Sequence, residues 1–196
     1  KSYLIESKSE KLVLDPFCGV GTTLVEAMLY GTDSIGFEIN PYAALASTTK
    51  CESVHMQASE FGEYITEFKN FMEFGNSDPA FLPPEHFRSR IPFFGACAEQ
   101  KILKALSFIY NLESRGIHNL FATAFGSVMV SLSNYSYEPS LSTRPAAGKP
   151  LQEDAPVAES IVSKLNYMQA DIEWFKKGLS GFPKYPSGRI INDNFL

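Results

Sequence analysis

The sequence predicts an α/β fold: part of a doubly wound parallel sheet, joined to a large and mainly helical insertion. Three observations predict it. The run LVLDPFCGVGTTLVEA, Leu12 to Ala27, reads as strand, glycine-rich turn and helix. A second strand signal, Ser34 to Phe37, ends on an acidic residue, Glu38, and leads into another helix start. A long helical stretch then separates these elements from a last strand signal, Arg189-Ile-Ile-Asn-Asp193.

Each element has a local cause. Lys11 to Leu14 is a short apolar run, Asp15 to Gly21 a turn, and Thr22 to Tyr30 a helix-compatible segment ended by Gly31. After Glu38, Asn40 is the expected N-cap and Pro41 the first helical residue. Pro41 to Phe74 predicts one long helix or two, with Phe61, Ile65, Phe68, Phe71 and Met72 at helical spacing. Asn76 to Phe94, with Asp78-Pro79, Pro83-Pro84 and Pro92, is irregular. Cys97 to Leu112 returns to a helical pattern closed by Gly116. Ile117 to Leu132 reads as a buried helix, with a strand left open over Ser127 to Leu132. Ser133 to Pro150 is a polar loop, and Glu153 to Lys177 an amphipathic helix carrying Ile161, Leu165, Met168, Ile172 and Phe175. The expected organisation is 1–50 for the opening βαβα, 51–185 for the insertion, and 186–196 for the return to the sheet as its third strand.

With 196 residues, 44% hydrophobic and 20% charged, the chain has core enough for one domain or one domain with an elaboration. It contains no run of about 18 apolar residues, and KSYLIESKSEK lacks the apolar centre of a secretory signal. The chain reads as cytoplasmic. Cys18, Cys51 and Cys97 form an odd set without paired spacing, so neither a disulfide framework nor a zinc ribbon is expected. They are expected to be reduced, buried thiols. The opening on Lys1 and the stop on a strand and its turn lead to the expectation of a fragment of a longer protein.

In doubly wound sheets ligands bind beyond the carboxyl ends of the strands, and an acidic residue about 20 positions after the first turn meets a ribose. Glu38 lies 23 positions after Asp15 and fits that role, so the ligand is a nucleoside derivative. Cys18-Gly-Val-Gly-Thr-Thr23 lacks the Gly-Lys-Ser/Thr of a phosphate-binding loop, and Leu24 stands where a dinucleotide fingerprint has its third glycine. Asp15 adds a negative charge at the turn's edge. That charge repels a pyrophosphate and suits a ligand with an ammonium and a sulfonium, as in S-adenosylmethionine.

Asp15-Pro-Phe-Cys-Gly-Val-Gly-Thr-Thr23 followed by Gly36-Phe-Glu-Ile-Asn-Pro41 resembles the first two motifs of the amino-methylating DNA methyltransferases, which modify adenine N6 or cytosine N4. The resemblance covers Leu12 to about Thr49. It implies a Rossmann-like methyltransferase sheet, partial in this chain, and S-adenosylmethionine as cofactor. By it Asp15, Phe17, Gly19 and Gly21 hold the methionine portion, with Pro16 and Cys18 in the same cofactor-binding turn and Thr22 and Thr23 at the helix start. Glu38 binds the ribose hydroxyls, with Ile39 against the adenine face and Asn40 beside them; Asp193 approaches the adenine amino group. Restriction-modification is the implied setting.

The implied partner is double-stranded DNA with a flipped base. Within the insertion the best nucleic-acid segment is Asn134 to Lys149, where Tyr135 and Tyr137 offer rings to bases and Arg144 and Lys149 meet phosphates. The bland reading is a long connection with prolines and turn-forming serines. Arg88 and Arg90 form a second basic pair, read as solvated. A net charge of −5 counts against an isolated nucleic-acid binder unless positive charge is clustered or supplied by other parts of the protein.

The family's catalytic tetrapeptide is Asp, Asn or Ser, then Pro-Pro, then an aromatic residue, and this chain has none. Leu82-Pro-Pro-Glu85 has unsuitable flanks. If Asp193 ends the third strand, the tetrapeptide is expected about 15 to 30 residues downstream, a crossover away. No catalytic residue and no metal set is assigned; Cys51 and His55, at i, i+4, are two ligands at most. The rest of the same polypeptide or another subunit is expected to complete the sheet. Two alternatives stay open: an RNA guanine-N2 methyltransferase, and a non-catalytic cofactor-binding subunit or interaction module.

Overall fold

A computed structural model describes residues 11–75, 82, 89–137 and 141–194. The chain is α/β, with a three-stranded parallel sheet and six α-helices among the described residues. It divides into two compact units: one from the segments up to Met56 and from Asp171 onward, the other from Gln57 to Ala170.

The first unit holds β1 (Leu12–Asp15), α1 (Thr22–Leu29), β2 (Asp33–Phe37), α2 (Pro41–Glu52) and β5 (Gly188–Ile191), in strand order β1-β2-β5. The register sets Asp15 opposite Gly36 and Phe37 opposite Ile191, so three strand ends lie along one edge. Asp33 ties the opposite ends together. Its Oδ1 accepts from the Ser187 backbone N–H at 2.6 Å and from Ser187 Oγ at 3.0 Å, and these bonds hold its carboxyl below the usual range. One sheet face is packed by Leu24, Met28, Cys51, Val54, Phe175 and Leu179. On the other, Leu12 and Leu14 are 60% and 53% exposed.

Asn40 caps α2 as its position predicts, accepting from the Tyr42 and Ala43 N–H groups at 2.9 and 3.2 Å, with Pro41 first in the helix. The Pro41 to Phe74 stretch is two helices. A 3₁₀ turn at Ser53–His55 separates α2 from α3 (Ala58–Phe74).

In the second unit α3, α4 (Ala96–Tyr110) and α5 (Arg115–Val128) share an aromatic core. Phe68 meets Phe108 and Phe121 edge-on at 5.2 and 5.6 Å, and Phe61 meets Phe121 at 6.2 Å. Lys104 Nζ donates to the Met72 and Gly75 carbonyls, each at 3.0 Å, which satisfies the C-terminal end of α3. A two-stranded ladder follows, β3 (Tyr135–Ser136) against β4 (Ser142–Thr143), and then α6 (Val157–Leu179).

Several expectations are corrected. Ser127 and Val128 end a helix rather than open a strand. Gly116 does not close α4, because Asn111 ends that helix with its Nδ2 on the Ser107 carbonyl, and Gly116 lies in the first turn of α5. Glu153 precedes α6. The Glu153 carbonyl accepts from the Ala98 N–H, and Asp154 pairs with Lys101 at 2.7 Å, so the helix begins only after Pro156. Ser133 to Pro150 carries the ladder and a 3₁₀ turn at Pro145–Ala147. Cys97 is exposed, not buried, because it sits on the outer side of α4 while Ala98, Ile102 and Ala105 turn inward. Arg88 and Pro83-Pro84-Glu85 lie outside the described residues. Among the described residues no helix is long and apolar enough to cross a membrane.

Candidate functional site

The carboxyl edge of the parallel sheet gathers most of the sequence-predicted positions. Strand β1 delivers Asp15, which accepts the Phe17 N–H on Oδ1 at 3.1 Å and so folds the start of the turn back on itself. The Cys18 N–H donates to the Phe37 carbonyl at 3.0 Å, fastening the turn to the end of β2. Gly21 N–H then closes on the Cys18 carbonyl at 2.8 Å, and α1 begins with the exposed Thr22 and Thr23.

The two turn glycines have different causes. Both have left-handed backbones, with φ +53° at Gly19 and +81° at Gly21. A Cβ at Gly21 would overlap Ser47 Oγ on α2, so that glycine is required by packing. A Cβ at Gly19 would meet nothing within 4 Å. The backbone at Gly19 therefore faces open space, as a surface for a ligand does.

Phe17 lies two residues before Gly19 in the turn and Ile39 two residues after β2; they are 78% and 70% exposed. Glu38 sits between them in sequence, beyond the end of β2. Its backbone N–H donates to the Ile191 carbonyl at 3.1 Å, and its Oε1 accepts the Asn40 N–H at 2.7 Å. Glu38 Oε2 makes no hydrogen bond among the described residues. Asp193 follows β5 on the same edge, with its N–H on the Ile191 carbonyl at 3.0 Å and its Oδ1 accepting the Asn194 N–H at 2.7 Å.

Electrostatics report the same neighbourhood. Burial pushes the Cys18 thiol above its ordinary value; a hydrogen bond with Ser47, Sγ to Oγ 3.9 Å, opposes this, and the negative charges of Asp15 and Glu38 add to the rise. Cys18 itself is buried beneath the turn, where a Cβ at Gly36 would stand 2.7 Å from its sulfur. Pro16 is half-buried at the turn's first corner. Lys50 Nζ donates to the Val20 carbonyl at 2.7 Å, so this cation braces the turn.

Sequence reasoning overlooked four supporting residues: Gly36, Ser47, Lys50 and Asn192. Asn192 Nδ2 donates to the Glu38 carbonyl at 2.7 Å and to the Ile39 carbonyl at 3.3 Å. Its place beside Asp193 at a strand end was the one available signal.

The nucleic-acid candidates in the second unit are mostly built into their own loop. Tyr135 stacks on Phe93 with centroids 5.0 Å apart, and Arg144 Nε donates to the Pro150 carbonyl at 2.9 Å. Lys149 Nζ donates to Ser136 Oγ at 3.3 Å. Tyr137 is 65% exposed. Asn134, buried, organises the loop: its N–H donates to the Phe93 carbonyl and Nδ2 to that of Pro92, while Oδ1 accepts from Gln152 and its carbonyl from Arg144. Arg90 is exposed.

Comparison with known proteins bears on the opening segment. Residues 4–48 match the DNA methylase family. Over 46 residues the chain is 41% identical to Type II methyltransferase M.MjaII of Methanocaldococcus jannaschii, a stretch that is 24% of this chain and 9% of that relative. No solved structure matches the chain. The resemblance read from residues 15–23 and 36–41 is thus upheld, over this segment, as one to adenine-N6/cytosine-N4 DNA methyltransferases.

Proposed function

We propose that this chain supplies the cofactor-binding part of an enzyme that transfers a methyl group from S-adenosylmethionine to the exocyclic amino group of adenine or cytosine in DNA. One observation carries the reading: the turn that leaves the Gly19 backbone open is tied by the Cys18 N–H to the Phe37 carbonyl, so Asp15 and the exposed Phe17 at the end of β1 neighbour the end of β2, which Glu38 and the exposed Ile39 follow. This donor set fits a ligand with a cationic amino-acid end, a ribose and an apolar ring. A phosphate would meet two negative charges there.

In this reading Asp15 faces the ammonium, the Gly19 backbone makes room for the methionine portion, and Glu38 Oε2 accepts from a ribose hydroxyl. Phe17 borders the methionine portion, Ile39 borders the adenine ring, and Asp193 accepts from the adenine amino group. The bound cofactor supplies an electrophilic methyl on its sulfonium. The pocket for the flipped base, and the groups that orient its amino lone pair, come from the rest of the same polypeptide or from another subunit. The three strands are part of a Rossmann-like sheet, the unit from Gln57 to Ala170 is a helical insertion facing DNA, and a restriction-modification system is the setting.

Titration calorimetry with S-adenosylhomocysteine tests the reading. The chain should bind it, and Asp15→Ala should abolish binding while the circular dichroism spectrum is retained, since a turn carboxylate contributes little core. Unchanged affinity in Asp15→Ala removes this site from cofactor binding.

A further inference from the structure

We infer that Asn192 is a positioning residue for the nucleoside half of the ligand, acting through the turn that carries Glu38 and Ile39; this rests on the cofactor reading above. The turn from β2 to α2 has two carbonyls, Glu38 and Ile39, in succession, and Asn192 Nδ2 donates to both, at 2.7 and 3.3 Å. Asn192 comes from the end of β5, so this clamp links strand ends 154 residues apart in sequence. A backbone bond runs beside it, from the Glu38 N–H to the Ile191 carbonyl at 3.1 Å.

The clamp matters because of what it holds. Glu38 Oε1 already accepts the Asn40 N–H at 2.7 Å, which orients the carboxylate and leaves Oε2 without a hydrogen bond among the described residues. Ile39, 70% exposed, has little side-chain packing to fix it. Its orientation therefore depends on the backbone, which the Asn192 amide restrains from the neighbouring strand, beside the local bond from the Asn40 N–H to Glu38 Oε1. Removing that amide frees two carbonyls at an exposed edge, where water can replace the lost bonds, so the fold loses little. A ligand gripped by Glu38 and Ile39 then has to order the turn itself, which weakens binding.

Asn192→Ala is compared with the 196-residue chain, in the natural background and in Glu38→Ala, by calorimetry with S-adenosylhomocysteine. Asn192→Asp, isosteric but unable to donate when ionised, serves as a second variant should the alanine chain fail to fold. Either is expected to weaken binding about tenfold, roughly one hydrogen bond's worth, with the apo melting temperature little changed. In Glu38→Ala the same substitution should weaken binding by less than about threefold, because its effect runs largely through Glu38. No loss, or an equal loss in both backgrounds, overturns the inference while leaving the cofactor reading intact. A parent chain that binds no S-adenosylhomocysteine overturns the cofactor reading and this inference with it.

Discussion

Asn40 closes a ring on Glu38: its backbone N–H donates to Glu38 Oε1 at 2.7 Å, while its own Oδ1 caps α2 through Tyr42 and Ala43. The orientation of the carboxylate and the start of the helix are thereby one structure. Glu38→Gln keeps an oxygen to accept from Asn40 and so keeps the turn. It removes the charge that strengthens a bond to a ribose hydroxyl, and affinity for S-adenosylhomocysteine should fall about 10- to 100-fold. Calorimetry beside a melting curve checks both halves; a large fall in melting temperature would mean that the charge serves the fold.

Gly19→Ala and Gly21→Ala should part company. At Gly19 the cost is backbone strain, about 1–2 kcal/mol, and the new methyl enters the open space, so ligand affinity falls more than stability. At Gly21 the methyl overlaps Ser47 as well, and about 2–4 kcal/mol of stability should be lost. Chemical denaturation of the two variants decides it, and equal destabilisation would contradict the assignment of different causes.

The opening βαβα was legible because its signals are local. Asn40-Pro41 names a helix start by hydrogen bonding and ring geometry, and glycines mark the turn. What escaped reading depends on partners far along the chain. Ser47 explains Gly21 only once α2 is laid against the turn, and Asn192 finds its carbonyls only once β5 has joined β2. Asn134 shows the same limit. Serines and prolines around it read as a loop, and the ladder follows from a buried amide whose bonds reach Pro92 and Gln152.

Thiol chemistry should separate the cysteines. Burial pushes Cys51 up to about 12 and raises Cys18, whereas Cys97 is exposed. At pH 8 under native conditions a disulfide reagent should modify Cys97 quickly and the other two only on unfolding. Two fast thiols would show that the core around α1 and α2 opens readily.

Cys51 also predicts an alkaline limit. Its folded pKa, about 12, exceeds its ordinary 9.0, so the folded chain keeps a proton that the unfolded chain has released. Its contribution is complete below pH 9 and declines as pH rises toward 12, by about 1.4 kcal/mol per unit. Urea midpoints should drop over that window, and Cys51→Ala should flatten the slope.

Tyr137 separates scaffold from contact in the second unit. Tyr137→Ala should leave urea stability within about 0.5 kcal/mol; if the proposed DNA-facing role of this loop holds, it should also weaken DNA binding by about 1–3 kcal/mol, the stacking of one base, or roughly 5- to 150-fold. Asn134→Ala should instead cost about 1–2 kcal/mol of stability, since it leaves the Pro92 carbonyl and the Gln152 N–H without their side-chain partner. Denaturation and fluorescence anisotropy with a labelled duplex read the two effects separately.

The overlap between position 21 and Ser47 has a consequence for how this chain can change over generations. The volume that a side chain at 21 would occupy is already held by a residue on another helix, so the two sites share one inheritance. A lineage that enlarges residue 47 disturbs the turn, and one that adds bulk at 21 survives only where 47 has shrunk beforehand. Bulk at 21 should therefore occur only in descendants whose residue 47 is smaller, a historical trace of a contact that no local motif announces.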